Sequence, residues 1–181
     1  MRSDLLISGE RAALGPLRPD LAAAYARWLN DPDVRSGIMR RGIKTPETEG
    51  TWVASAMAAA AEPRPTVAHF TIYDVSDFRP VGSAGLFDVD HLMGRASFGI
   101  LLGERRGRGL GTDATRLVLR WAFDVLALHN VALGAMAWNE GALRAYERAG
   151  FREIGRRREA LRHVGGRCDE VLMDALAEDV T

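Results

Sequence analysis

The chain is poor in residues that several protein classes cannot do without. Its one cysteine, Cys168, closes no internal disulfide, and no Cys/His group has zinc-ligand spacing. Both facts suit a reducing compartment, so a cytoplasmic location and no bound metal are expected. Basic and acidic side chains balance, 24 against 24, so the surface as a whole is not built to adhere to nucleic acid or to an acidic membrane. Long apolar runs are missing too. Leu5-Leu6-Ile7 is too short for a signal-peptide core, and nothing approaches the length of a membrane span. Lysine is almost absent: Lys44 stands alone among 24 basic residues, a bias of coding rather than of function.

What is present fits a compact enzyme domain. A hydrophobic fraction of 47% with 27% charged residues is ordinary globular composition, and 181 residues suffice for one domain, 1–181, with a substantial core. Strand and helix patterns alternate along it. Residues 11–17 read as a strand. Pro19 and Asp20 open a helix carrying Leu21, Ala24, Tyr25, Trp28 and Leu29 at helical spacing, and a loop with Pro32 and Gly37 follows. Thr45-Pro46-Glu47 starts a second helix, which runs through an alanine-rich stretch to Pro63. Strands are expected at 67–75, 81–89 and 96–102, with Arg79-Pro80 and Gly94 at the turns.

The most informative passage is 100–112, Ile-Leu-Leu-Gly-Glu-Arg-Arg-Gly-Arg-Gly-Leu-Gly-Thr. A short apolar strand enters a turn of arginine and alternating glycine, and an amphipathic helix starts at once. Thr112 is its expected cap, and Ala114, Leu117, Val118, Trp121, Ala122 and Val125 share one face. Glycines turn with positive φ and let a ligand approach the backbone, while the first helical N–H groups lack partners inside the helix. The result is an anion site suited to a diphosphate. A P-loop needs Gly-Lys-Ser/Thr, which the chain lacks. Gly109, Gly111 and Ala114 satisfy a dinucleotide fingerprint, but only about 70 residues follow, too few for a doubly wound domain. The remaining pattern, Arg106-x-x-Gly109-x-Gly111, is that of a coenzyme A pyrophosphate loop, with Gly107, Arg108, Leu110 and Thr112 in the same turn.

Beyond a strand at Val131–Trp138, the run Asn139-Glu140-Gly141-Ala142-Leu143-Arg144-Ala145-Tyr146 leads to Gly150-Phe151. This resembles the motif that ends the coenzyme-binding half of the GNAT acetyltransferases: an Asn, a Tyr seven residues later, then Gly-Phe. Trp28-Leu29-Asn30-Asp31-Pro32-Asp33-Val34 is similar to the loop after the first helix in one branch of that family. The branch contains the ribosomal-protein N-terminal (Rim-type) and polyamine acetyltransferases. Gly165 to Met173 resembles that branch's closing hairpin, although the position of Cys168 usually carries an aromatic residue. The likeness covers about residues 8–177.

The resemblance implies an α+β fold, an α/β/α sandwich around a mixed, mostly antiparallel sheet. Its parallel strands splay on either side of the pyrophosphate-loop helix. It implies acceptor-side helices at about 19–63 and an acetyl-CoA-binding half at about 96–151, with acetyl-CoA as co-substrate. Backbone groups of Ile100, Leu101 and Leu102 would hold the pantetheine arm as an added strand would, and one N–H there would polarise the thioester. Asn139 would bond the arm; its other reading is a strand-end turn residue. Tyr146, a phenol protonated near neutrality, is the general-acid candidate for the departing thiolate, or else a core packing residue. A serine that the branch often carries three residues after the Asn is here Ala142.

No general base stands out. Ser97 stands near where many relatives carry a Glu; Asp88, Asp90 and His91 are candidates to reach the cleft, and His69, His129 and His163 are scattered without triad logic. Cys168 reads as a half-buried strand cysteine without an activating neighbour. Trp28, Arg35, Met39 and Trp52 are candidates for the acceptor wall. The expected activity is direct acetyl transfer to a primary amine, either a protein N-terminus or a small amine such as an amino sugar or amino acid. Another acyl-CoA donor such as succinyl-CoA, and a non-catalytic acyl-CoA-binding module, are the alternatives. Acetyl-CoA and the amine are the expected partners, with a homodimer left open.

Overall fold

The computed structural model describes residues 5–38, 42–163 and 165–180. Its strands are β1 (Ile7–Ser8), β2 (Ala12–Pro16), β3 (Ala68–Asp74), β4 (Arg79–Asp90), β5 (Arg95–Leu102), β6 (Asn130–Met136), β7 (Arg152–His163) and β8 (Gly166–Leu176). The helices are α1 (Ala22–Asn30), α2 (Pro32–Ile38), α3 (Pro46–Ala60), α4 (Leu110–Arg120) and α5 (Glu140–Ala149). One sheet runs β1-β2-β3-β4-β5-β6-β8-β7, antiparallel at every junction except β5–β6. The expected α+β architecture, with a single parallel pair in a mixed sheet, is the one observed.

Strand alternation sorts side chains between two cores. On β3, Ala68, Phe70 and Ile72 join the core under α4, with Leu117 and Val118. His69 and Thr71 point the other way. His69 meets Trp52 of α3 edge-on at 5.1 Å, and the Thr71 hydroxyl bonds Tyr25 of α1 at 2.6 Å. That second face holds a smaller core of Leu17, Tyr25, Trp28, Val53 and Ala56.

Three local expectations are corrected. The loop at Pro32 and Gly37 is a helix, α2, with Asp31 as its cap: its Oδ1 accepts from the N–H of Asp33 at 2.9 Å and of Val34 at 3.1 Å. Asp-Pro-Asp is itself a capping signal, with proline at the first helical position. Seven residues without a repeating apolar stripe hid it. Thr112 is not the cap of α4. The helix starts one turn earlier, from Gly109 in the left-handed region (φ 79°). Val125 leaves the core face and is 56% exposed, because α4 runs into a π-helical turn at Trp121–Val125 that shifts the register.

The turn before α4 is fastened at both ends. Asp113 accepts from the backbone N–H groups of Arg11 and Ala12, both at 2.8 Å, tying α4 to β2. Arg105 reaches Asp74 at 2.6 Å and Asp77 at 2.6 and 2.9 Å, tying the turn to the β3–β4 hairpin. Hydrogen bonds from Ser76 and the Arg105 guanidinium hold the Asp74 carboxyl down at about 2. Its folded value lies below its unfolded one, so its contribution is complete above about pH 4 and is lost as pH falls through about 2. Asp74→Asn is expected to cost about 2 kcal/mol at pH 7 by urea unfolding, with the gap closing between about pH 4 and 2. A gap that is constant over that range contradicts the assignment.

Candidate active site

β5 and β6 pair only at Arg95↔Asn130, Ala96↔Val131 and Ser97↔Ala132. Beyond Ser97 the two strands part. β5 stays on β4 through Leu102, while β6 runs on beside β8 to Met136. The Gly103 N–H donates to the Val81 carbonyl at 2.9 Å. By the alternation of an antiparallel ladder, Leu101 then faces β4, and the N–H groups of Ile100 and Leu102 face the opening.

A groove of about 630 Å³ fills that opening and continues over the start of α4. Of the residues expected there, Ile100, Leu101, Leu102, Arg106, Gly107, Gly109, Gly111, Thr112, Asn139 and Tyr146 line it. Arg108 and Leu110 do not. The Arg108 carbonyl accepts from the Arg11 guanidinium at 3.1 Å, and Leu110 is buried in the core. Gly109 must keep its left-handed backbone for the chain to turn, and a Cβ there would lie 3.2 Å from Arg11 Cδ. Gly111 has no such φ; its bareness leaves room above the helix N-terminus. The first N–H to find an acceptor within the helix is that of Asp113, on the Gly109 carbonyl at 3.1 Å. The N–H groups of Leu110, Gly111 and Thr112 are therefore left at the positive end of α4, an anion site by geometry.

Arg106 is engaged elsewhere. Its Nε donates to the Leu102 carbonyl at 2.9 Å, and its guanidinium lies 3.3 Å from Asp31 and 3.5 Å from Asp33. Across the groove, Asn139 caps α5: its Oδ1 accepts from the Ala142 N–H at 3.2 Å, and its amide nitrogen faces Gly37 of α2. The turn role and the groove position thus coexist in one side chain. Tyr146 does the same. Its ring packs edge-on against Phe98 and Phe151 at 6.2 and 6.0 Å, while the side chain also lines the groove. Burial pushes its phenol up to about 12, so it carries its proton throughout the working range.

A second, smaller cavity of about 190 Å³ lies on the other face of β5, between α1, α3 and β3–β5. Trp28 and Trp52 line it, as expected of an acceptor wall; Arg35 does not, and Met39 falls outside the described residues. Gly103 has to be glycine beside it, because a Cβ would come within 2.1 Å of the Trp28 indole. The indole is fixed in turn by its N–H on Glu104 at 3.1 Å.

The expected base candidates are not here. Asp90 binds the N–H groups of Leu92 and Met93 in the β4–β5 turn, His91 reaches the Pro65 carbonyl at 2.9 Å, and Asp88 is exposed. None of the three lines either cavity. His69, which looked scattered in sequence, does line the small one, stacked edge-on between Trp52 and Phe87.

Two further residues of this cavity stand out in the sequence only as members of a balanced set of charges near the acceptor side. Glu49 of α3 is 1% exposed, and Lys44 Nζ lies 3.0 Å from its Oε1. The contact pairs the charges without the direction of a hydrogen bond, so Oε1 has no hydrogen-bond donor. Asn30 clamps the Lys44 backbone from both sides, accepting its N–H at 2.9 Å and donating to its carbonyl at 2.6 Å. The two cavities meet at Ile38, Ile100 and Leu101, which line both.

A mixed sheet whose one parallel pair splays around a glycine turn and helix defines the class: an acyl-CoA N-acyltransferase fold. The family model described as an acetyltransferase (GNAT) domain matches residues 11–152. The chain belongs to the GNAT acetyltransferase family. It is 38% identical over 89 residues to a probable N-acetyltransferase, YjcK, of Bacillus subtilis, covering 48% of this chain and 49% of that protein. It is 34% identical over 76 residues to the spermidine N(1)-acetyltransferase of Escherichia coli K12, covering 41% of each. The chain thus spans about half the length or less of the curated relatives it matches. Among solved structures, spermidine N-acetyltransferase from Vibrio cholerae in complex with CoA and spermine superposes with a TM-score of 0.83 at 19% identity, over 93% of this chain and 97% of that one. Mycobacterium smegmatis RimJ in complex with CoA-disulfide gives 0.80 at 23%, over 93% and 83%. At such identities the likeness is one of fold. The spermidine acetyltransferases and RimJ among these relatives belong to the branch that residues 28–34 and 165–173 resemble.

Proposed function

We propose that the protein is an acetyl-CoA-dependent N-acetyltransferase that moves the acetyl group directly to a primary amine. The observation that carries this is the meeting of the two cavities at Ile100 and Leu101. One is long, with an anion site at its far end; the other is short and walled by aromatic rings. A thioester held at their junction is within reach of an amine in the small cavity.

In this reading the diphosphate of acetyl-CoA rests on the N–H groups of Leu110, Gly111 and Thr112. The pantetheine arm lies along Ile100–Leu102 as an extra strand, opposite Asn139. An N–H of Ile100 or Leu102 polarises the carbonyl and stabilises the oxyanion. The amine nitrogen attacks, the C–S bond breaks, and Tyr146 gives its proton to the leaving sulfur. The surplus proton on nitrogen leaves through the acceptor cavity, which His69 lines. Arg106 must exchange the Leu102 carbonyl and the two aspartates for phosphate oxygens, so its net gain on binding is small.

The acceptor is a low-pKa amine, a protein N-terminus or a small metabolite amine. Among the described residues, no carboxylate stands free beside the junction to deprotonate an alkylammonium. A peptide α-amine, with a pKa near 7.7–8.0, is about a tenth neutral at pH 7, against roughly one part in 2,500 for a lysine-type amine.

Gly109→Val is expected to weaken acetyl-CoA binding more than Arg106→Ala does. The first strains the turn and fills the approach to the helix end, whereas the second removes a half-exposed charge that already has partners. Calorimetry that finds unchanged affinity in the glycine variant contradicts the loop assignment.

Tyr146→Phe should lower kcat by about 10- to 10⁴-fold with acetyl-CoA affinity within a few fold. Wild-type kcat should not fall between pH 8 and about 10, where an ordinary tyrosine begins to titrate. An unchanged kcat in the variant, with chemistry rate-limiting, makes Tyr146 a packing residue only.

Competition at pH 7 between an alanyl peptide, an amino sugar and spermidine, read as kcat/KM, tests the acceptor class. The spermidine value should be the lowest, and a value well above the other two sinks the reading.

A further inference from the structure

The Lys44–Glu49 pair has no part in the chemistry above, yet both residues line the acceptor cavity. Glu49 is the one carboxylate among the described residues of that lining, and Lys44 its one lysine or arginine. A carboxylate at 1% exposure, beside two tryptophans, would draw any cation that entered. The protein supplies that cation itself. Lys44 Nζ stands at 3.0 Å, its backbone locked by one hydrogen bond donated to Asn30, at the end of α1, and one accepted from it. The one lysine of the chain stands at this point.

We infer that Lys44 sets acceptor specificity by excluding dications: fixed on Glu49, it occupies the only counter-charge among the described residues of the cavity, so the second ammonium of a diamine or polyamine meets none there. A monoamine with an apolar remainder meets a neutral floor and aromatic walls. A diamine must instead bring its far ammonium up to another ammonium whose carboxylate is already engaged. This rests on the reading that the small cavity receives the acceptor.

The experiment measures kcat/KM for n-alkyl diamines of three to five carbons and for the monoamines of equal length, and takes the diamine-to-monoamine ratio. In the wild-type protein the ratio is expected below one. Lys44→Met keeps the length of the side chain and removes its charge, leaving Glu49 for the far ammonium; the ratio should rise about tenfold or more. Glu49→Gln, which leaves Lys44 unneutralised, should push the ratio below the wild-type value, and this variant keeps the inference testable if Lys44→Met does not fold. The double variant Lys44→Met/Glu49→Gln should return the ratio toward wild type.

A ratio unmoved in folded Lys44→Met, raised equally in the double variant, or unchanged in Glu49→Gln overturns the inference. Calorimetric Kd values for the same amines, with coenzyme A present, give the ratio independently of turnover. Turnover of these alkylammonium probes is expected to be slow, because the proposed acceptor is a low-pKa amine, and where none is detected the proposed function is tested by the alanyl-peptide competition above. The Kd ratios then still decide the role of Lys44.

Discussion

The whole site depends on two neighbouring strands staying together for three residue pairs and then separating. A strand edge inside a sheet normally has its N–H and C=O groups taken by its neighbour. Past Ser97, β5 keeps one edge on β4 and turns the other into open space, because β6 has gone over to β8. The exposed ladder groups form a template for an extended ligand. The wedge between the strands gives such a ligand a channel through the sheet, with α4 at one mouth and the aromatic cavity at the other.

Holding that wedge open requires the flanking pieces to be fixed independently of each other. Arg105 ties the entry of the glycine turn to Asp74 and Asp77, and Asp113 ties the start of α4 to the backbone of β2. The turn can then expose its glycines and the unpaired helix N–H groups without collapsing into the groove. On the other wall, α5 is capped by Asn139 and terminated by Gly150 at φ 115°, and Phe151 returns the chain to the core beside Tyr146. A phenol embedded among Phe98 and Phe151 is both a packing residue and a retained proton. The general-acid role proposed for Tyr146 is compatible with this packed placement.

The acidic residues around the groove divide by how well they are satisfied. Asp31 is held low, chiefly by the N–H groups it caps and then by Arg106. Asp33, at the groove margin, takes the other side of the same guanidinium. If Arg106 turns toward a bound phosphate as proposed, the contact between α2 and the glycine turn loosens, and the proposed coenzyme groove and acceptor wall then share an element. Glu49 differs, because among the described residues nothing but Lys44 meets its buried oxygen.

The sequence alone determined the elements, their order and the two motifs on either side of the notch. Glycine spacing, a helical apolar stripe and an Asn…Tyr…Gly-Phe run are local patterns, legible one element at a time. Ten of the twelve residues it marks for this site line the groove, since the residues that make a turn bare or cap a helix are the ones left facing the groove. Its errors were of scale or of distance. Helix α2 was too short for a periodic stripe, although Asp31-Pro32-Asp33 carried its cap. The helix register past Arg120 depended on a π-helical turn that no apolar count reveals. What only the tertiary structure decided was the small aromatic cavity. His69, Lys44 and Glu49 come from a strand, a loop and a helix that the sheet order brings to one face of β5, and no spacing along the chain encodes their meeting. A lysine that looks like an accident of composition acquires a place only when folding buries a carboxylate beside it.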